Sequence, residues 1–196
     1  RILTLCETAR KQAKEPVLRW PERLIGVVVP DSQIASGSDP GVQGLSLLKG
    51  LLLLSGMYED RSPVAFALEG GPGNVTSLAF SRNRTRALVF PLAHVDGTSV
   101  WSEDEEVMIW EAVKKLVENP DVPKVAQNGA AYDWFTLAWT YGITVRGYAH
   151  DTMQAWWELF PELSKSLATQ VSLLTRWPFY KPDKEEGGGL KFASDL

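Results

Sequence analysis

Short apolar runs and turn residues divide the first third of the chain into small elements. The runs "RILTL" and "RLIGVVVP" predict short strands. The segment "SQIASGSDPGVQG" has the Ser, Gly and Pro content of a linker, and the apolar run "LSLLKGLLLLSG" after it predicts a short helix that ends at Gly56. We expect residues 1–60 to be either an N-terminal extension packed on the main domain or the end of a preceding domain.

From residue 61 onward, alternating apolar positions predict strands. Apolar residues alternate in "PVAFALEGGPG", and this strand ends at Glu69, immediately before a glycine turn. Two further runs, 74–81 and 86–92, are each bounded by turn residues. Together with 63–69 they predict a three-stranded antiparallel meander.

Helices alternate with short strands in the rest of the chain. Ser102 and Glu105 form a capping box before "EDEEVMIWEAVKKLVEN", and Gly142 ends the helix "YDWFTLAWTYG". Short strands are predicted at "PKVAQN" and "ITV", followed by the helices "DTMQAWWELF" and "SLATQVSLLT" and the long loop "RWPFYKPDKEEGGG". This order predicts an α/β domain over residues 61–196, in which helices flank a mixed sheet.

Composition excludes several classes of protein. The 196-residue chain is 44% hydrophobic and 22% charged, and its net charge of −4 argues against a protein that coats nucleic acid by bulk electrostatics. The single Cys6 excludes an intrachain disulfide, and the longest apolar run is too short to span a bilayer. We expect a cytoplasmic protein with no membrane partner. Most tryptophans of the predicted helices are expected in the core: Trp134, Trp139, Trp156 and Trp157.

Three carboxylates lie at element boundaries, where side chains can project into a cleft. Glu69 ends a strand, Asp133 lies in the first turn of a helix, and Asp195 follows the long loop. Each alone is more often a helix cap or a surface charge. Together they are hard oxygen ligands that suit Mg²⁺ or Mn²⁺ rather than zinc, and two such ions can activate water for phosphodiester cleavage.

Five segments, in order, resemble a known family: "FALEGG", "QNGAAYDWF", "HDTMQAW", "SLATQVSLLT" and "PFYKPD". About two-thirds of the chain is thereby similar to the 3′–5′ exonuclease (proofreading) domain of family A, phage-like DNA polymerases, which is a DEDD-type exonuclease. The resemblance implies a ribonuclease H-like fold and two Mg²⁺ or Mn²⁺ ions. It also implies a single-stranded DNA 3′ end as substrate and a polymerase domain C-terminal to this segment in the parent chain.

The first motif departs from the family pattern at a catalytic position. The family has Asp where this chain has Ala67, and Thr where it has Gly70. The resemblance implies that the missing Asp would bridge both ions, so the rate should fall by orders of magnitude although Glu69, Asp133 and Asp195 remain as ligands. Deliberate inactivation explains such an isolated change most simply, and a naturally inactive domain is the alternative.

The third motif is also incomplete. The family has a Tyr or His shortly before its Asp, whereas Phe192 precedes Asp195 here. Either Phe192 lies in that region with altered spacing or Tyr180 takes the role, and Asp183 is the alternative third acid. Asp151 in "HDTMQAW" is expected to cap the following helix rather than to bind metal.

Residues outside the acidic set are candidates for holding nucleic acid. A frayed 3′ end of any sequence requires stacking and backbone contacts rather than base-specific ones. Asn128 is the expected contact to the terminal nucleotide, and the Gly70 backbone allows close approach. Phe179, Tyr180 and Lys181 are candidates for stacking and phosphate contact. An RNase D-like RNA exonuclease and a catalytically inactive nucleic-acid-binding module are the alternatives.

Overall fold

The computed structural model describes residues 23–34, 41–71 and 73–175. Seven strands lie in this part of the chain: β1, Leu24–Val28; β2, Val42–Leu45; β3, Val64–Gly71; β4, Asn74–Ser81; β5, Arg86–Pro91; β6, Lys124–Ala126; and β7, Tyr148–Asp151. Its α-helices are α1, Leu47–Asp60; α2, Glu103–Val117; α3, Asp133–Tyr141; α4, Thr152–Leu159; and α5, Leu167–Leu174. No helix of the described residues is long and apolar enough to cross a membrane.

The strands form a mixed sheet in the order β2-β1-β5-β4-β3-β6-β7. Strands β5, β4 and β3 are antiparallel neighbours, as the meander pattern predicts. On one side β6 and β7 continue parallel to β3, and on the other β1 and β2 continue parallel to β5. The expected α/β class, a mixed sheet flanked by helices, is confirmed.

The alternation in β3 separates a buried face from an exposed one. Val64, Phe66 and Leu68 are buried in the core. The residues between them, Ala65, Ala67 and Glu69, are exposed on the opposite face. Because side chains alternate along a strand, the same pattern that buries the core places Ala67 and Glu69 side by side on the open face.

Helix α1 packs closely on the sheet through a glycine. A Cβ at Gly50 would lie 2.5 Å from Val28 Cγ2 and 3.2 Å from Phe90 Cε1, so only glycine allows this approach. The helix continues to Asp60, and Arg61 follows it in the left-handed conformation with φ of 56°. The expected end at Gly56 is therefore wrong, because Gly56 continues the helix and Arg61 provides the terminal turn.

Two expected elements are corrected by the structure. Val42–Leu45, expected as the end of the linker and the first residue of the helix, is strand β2, because it gains a parallel partner in β1. The strand expected at "ITV" is irregular backbone, and β7 begins at Tyr148 instead. The described part of residues 1–60 thus contributes strands β1 and β2 to the sheet and helix α1, which packs on the sheet. The domain boundary at residue 61 stays a prediction.

The two glycines of α1 provide a matched test of this packing. We expect Gly50→Ala to destabilise the fold by about 1–3 kcal/mol, because its methyl group would overlap Val28. Gly56→Ala meets no atom within 4 Å and should raise the free energy of unfolding by about 0.5–1 kcal/mol. Chemical denaturation of both variants measures the difference, and equal effects would contradict the close approach.

Candidate active site

The carboxyl ends of three parallel strands meet at one edge of the sheet. Glu69 lies near the end of β3, Asp133 opens α3 shortly after β6, and Asp151 ends β7. This edge of an open α/β sheet is where ligands usually bind, because loops diverge there and leave a crevice. The topology therefore brings together the two described acids that the sequence selects and a third, Asp151.

Asp133 occupies the point at which β3 and β6 separate. The two strands pair only at Val64 with Lys124 and Ala65 with Val125. Beyond this pairing, the Leu68 amide donates to Asp133 Oδ1 at 2.7 Å. Asp133 is only 6% exposed. The Asp133 carboxylate thus takes the place of a neighbouring strand as the acceptor for the Leu68 amide, and Leu68 lies between Ala67 and Glu69.

The buried position of Asp133 raises its pKa to about 6, from an ordinary 3.8. Burial is the main cause, and the Leu68 amide partly offsets it. The negative charges of Glu69 and Asp151 raise the pKa further. A carboxylate that costs free energy to ionise in this place has no structural advantage over an amide there, which favours a chemical role.

Glu69 has a different environment. It is exposed on the open face of β3, and no hydrogen bond to its carboxylate is found among the described residues. Ala67 lies two residues earlier on the same face and pairs with Ala79 of β4. An acidic side chain at position 67 would therefore project beside Glu69 into open space.

A bulge in the β3–β4 hairpin immediately follows Glu69. The register shifts between Glu69 and Gly70, so that Thr76 of β4 has no partner in β3. Gly70 has φ of 135°, and a Cβ there would lie 2.2 Å from the Asn74 carbonyl oxygen. Glycine at this position, where the resembling family has Thr, is thus required by the bulge.

Asp151 holds the surrounding loops together. Its carboxylate accepts from the amides of Met153 and Gln154, which confirms the expected cap on α4. It also accepts from the amides of Asn128 and Gly129, at 3.0 and 3.1 Å, in the loop that leads to Asp133.

Tyr148 completes the set of donors, since its hydroxyl donates to Asp151 at 2.5 Å. Burial alone would raise the pKa of Asp151, but the hydrogen bonds from Tyr148 and from the Asn128, Gln154 and Met153 amides outweigh it and lower the pKa. With its oxygens engaged in this way, Asp151 is a structural acid.

Some of the other predicted site residues lie in the described part of the chain, and the rest lie outside it. Asn128 follows β6 in the left-handed conformation with φ of 59°, and its backbone, not its side chain, makes the bond to Asp151. Phe179, Tyr180, Lys181, Asp183, Phe192 and Asp195 lie outside the described residues. Their roles, and the metal-binding roles of Glu69 and Asp133, stay predictions.

The acids of the described residues do not by themselves form a site for two metal ions. Among residues 23–34, 41–71 and 73–175, no group of three or more His, Cys, Asp or Glu side chains is arranged to hold a metal ion. Glu69 and Asp133 supply hard oxygens that suit Mg²⁺ or Mn²⁺, but Ala67 supplies none and Asp151 is engaged. The described residues therefore offer an incomplete site.

Comparisons with known proteins bear on the fold. No protein-family model matches the chain, and no curated protein is similar to it in sequence. Among solved structures, Brucella melitensis NrnC is similar with a TM-score of 0.51 and 12% identity, over 90% of this chain and 69% of that chain. The Aedes aegypti Nibbler EXO domain has a TM-score of 0.48 and 17% identity, over 81% of this chain and 72% of that chain.

A polymerase structure is among the matches as well. The POL domain of Pol1 from M. smegmatis, in complex with DNA primer-template and dNTP, has a TM-score of 0.49 and 19% identity, over 74% of this chain and 22% of that chain. The mixed sheet and its flanking helices match the fold of Brucella melitensis NrnC, in agreement with the ribonuclease H-like mixed sheet expected from the sequence. At these identities the similarity describes the fold, and the polymerase family stays a prediction.

The contrast between Asp151 and Glu69 predicts a large effect on stability for one substitution and a small effect for the other. Asp151→Ala leaves one buried and several part-buried donors without an acceptor and should lower the free energy of unfolding by more than about 3 kcal/mol. Glu69→Ala should change it by less than about 0.5 kcal/mol, because the exposed carboxylate makes no described bond. Urea denaturation measures both, and a large effect of Glu69→Ala would contradict this division.

The raised pKa of Asp133 predicts a pH-dependent stability difference. An acid whose pKa is raised in the folded chain adds most to the free energy of unfolding when the pH is below its ordinary pKa of 3.8. This contribution is lost as the pH rises through the folded-state pKa of about 6. Asp133→Asn keeps an acceptor for the Leu68 amide and removes the charge. It should therefore be more stable than the parent at pH 7, by about 1–3 kcal/mol, and equal to it near pH 4. A difference that does not vary with pH would contradict this origin.

Proposed function

We propose that this chain is a 3′–5′ exonuclease domain of the proofreading type whose first acidic position is Ala67, so that it is catalytically inactive in its present form. The observation that carries the proposal is that the Asp133 carboxylate binds the Leu68 amide, between Ala67 and Glu69, which lie on the same exposed face of β3. The order of the five sequence segments supports the same function.

The incomplete donor set supports the inactive state. The described residues supply two free carboxylates, one exposed and one buried with a raised pKa, which is fewer than a pair of Mg²⁺ or Mn²⁺ ions requires. Glu69 and Asp133 would remain to contact a cation, and Asp195 would be a third ligand from outside the described residues, which leaves the acid at position 67 as the missing one. In this proposal an Asp at position 67 restores the missing ligand.

The open backbone at this edge of the sheet supports a single-stranded nucleic acid as the substrate. The exposed Gly70 and Gly71 leave the backbone beside Glu69 uncovered, which suits the close approach of a flexible single strand. We propose the single-stranded 3′ end of DNA, with a polymerase domain following in the parent chain. An RNase D-like preference for RNA is the alternative, and the 2′-hydroxyl is the group that separates the two.

Restoring the acid tests the proposal directly. We expect Ala67→Asp to release mononucleotides from the 3′ end of a 5′-labelled single-stranded DNA in Mg²⁺, at least about 100-fold faster than the chain as given. Ala65→Asp is the matched control, because it adds the same carboxylate to the same exposed face of β3, two residues farther from Glu69. It should stay inactive, as should Ala67→Asp combined with Glu69→Gln.

Other outcomes separate the alternatives. Faster digestion of an RNA of the same sequence by Ala67→Asp would replace the DNA assignment with the RNase D-like one. If every variant is inert in Mg²⁺ and Mn²⁺ while the single strand still binds, the chain is a nucleic-acid-binding module and the proposed exonuclease function is wrong.

A further inference from the structure

The bulge after Glu69 is held by two hydroxyl groups that the acidic set does not include. Tyr132 immediately precedes Asp133, and its hydroxyl donates to the Gly70 carbonyl at 2.5 Å. The start of α3 is thereby tied to β3 at two successive places, through Asp133 to the Leu68 amide and through Tyr132 to the Gly70 carbonyl. Glu69 lies between these two attachment points.

Thr76 holds the same turn from the opposite strand. It is the residue of β4 without a partner in β3, and its hydroxyl donates to the Glu69 carbonyl at 3.1 Å. The Thr76 carbonyl in turn accepts from the amides of Leu92 and Ala93, at 2.8 and 3.2 Å. The threonine is therefore fixed by the end of β5, and it fixes the backbone of Glu69.

The surroundings of Tyr132 distinguish its hydroxyl from its ring. The ring packs against the hydrophobic core, which explains why an aromatic residue stands there. The pKa of the hydroxyl is raised first by burial and then by the charges of Asp133 and Glu69, so the group stays a neutral donor close to both carboxylates. Core packing alone requires only the ring.

We propose that Tyr132 and Thr76 are positioning residues, whose hydroxyls clamp the Gly70 and Glu69 carbonyls and thereby set the place of the Glu69 carboxylate relative to Asp133. This inference rests on the proposed exonuclease function for its catalytic consequence, but the clamp itself is a property of the chain as given. A β-bulge beside a functional residue commonly redirects its side chain, and here two hydroxyls hold the bulge in place.

The first experiment measures the clamp without any activity. Amide hydrogen exchange, followed by NMR, compares the chain as given with Tyr132→Phe and Thr76→Val. Each variant should speed exchange at Gly70, Gly71 and Val75 by roughly fivefold or more while leaving the core of α2 unchanged. Tyr58→Phe is the control, because that ring carries a cation–π contact with Lys115 and its hydroxyl has no described partner.

The second experiment places the same changes in Ala67→Asp. Loss of either hydroxyl should lower kcat by about tenfold or more, since small displacements of catalytic groups are costly, with KM for the oligonucleotide within about twofold. Thr76→Ser keeps the hydroxyl, so in this background it should retain most of the kcat of Ala67→Asp alone. Tyr58→Phe should leave both constants unchanged.

The outcomes distinguish this inference from the function on which it rests. Exchange that rises equally at all amides, or kcat that falls only in proportion to lost stability, would overturn the positioning role. An inactive Ala67→Asp variant would instead overturn the proposed function, and the exchange measurement on the chain as given would then decide the clamp by itself.

Discussion

The hydrogen bond from the Leu68 amide to Asp133 is the contact on which the candidate site depends. It forms where β3 and β6 stop pairing, so a carboxylate satisfies a donor that a neighbouring strand would otherwise satisfy. The same bond fixes the start of α3 against the end of β3. Because β3 alternates, fixing Leu68 also fixes Ala67 and Glu69 on the open face beside it. The Leu68 amide therefore links the end of β3 to the start of α3, where the acids of the candidate site lie.

Two buried aspartates at this edge of the sheet have opposite roles because their partners differ. The Asp151 carboxylate accepts hydrogen bonds from amides of two chain segments and from the Tyr148 hydroxyl. These bonds lower its pKa and give it a structural role. Asp133 has the Leu68 amide as its side-chain partner and faces the charge of Glu69, which leaves its pKa raised. Environments that separate the pKa values of neighbouring acids are typical of sites with assigned chemical roles.

The sequence predicts the meander, the capping box of α2 and the selection of Glu69 and Asp133 as site acids, because these follow from alternation, local side-chain bonds and the positions of turn residues. It misses β2 and misplaces β7, since "VQGL" and "YAHD" carry little apolar signal and become strands through their neighbours. The expectation that most tryptophans of the helices lie in the core is wrong: Trp156 is 3% exposed, but Trp139 is 81% and Trp157 is 53% exposed. Tyr132 lies within a segment that the sequence selected, yet its bond to a carbonyl 62 residues away has no sequence signal.

The fold holds Asp133 beside Glu69 at a cost in free energy. A carbon-13 NMR titration of the Asp133 side-chain carboxyl, in the chain as given and in Glu69→Gln, measures this cost. We expect a midpoint near 6 in the parent, and a lower one once the neighbouring charge is removed. A midpoint near the ordinary 3.8, unchanged by Glu69→Gln, would contradict this expectation.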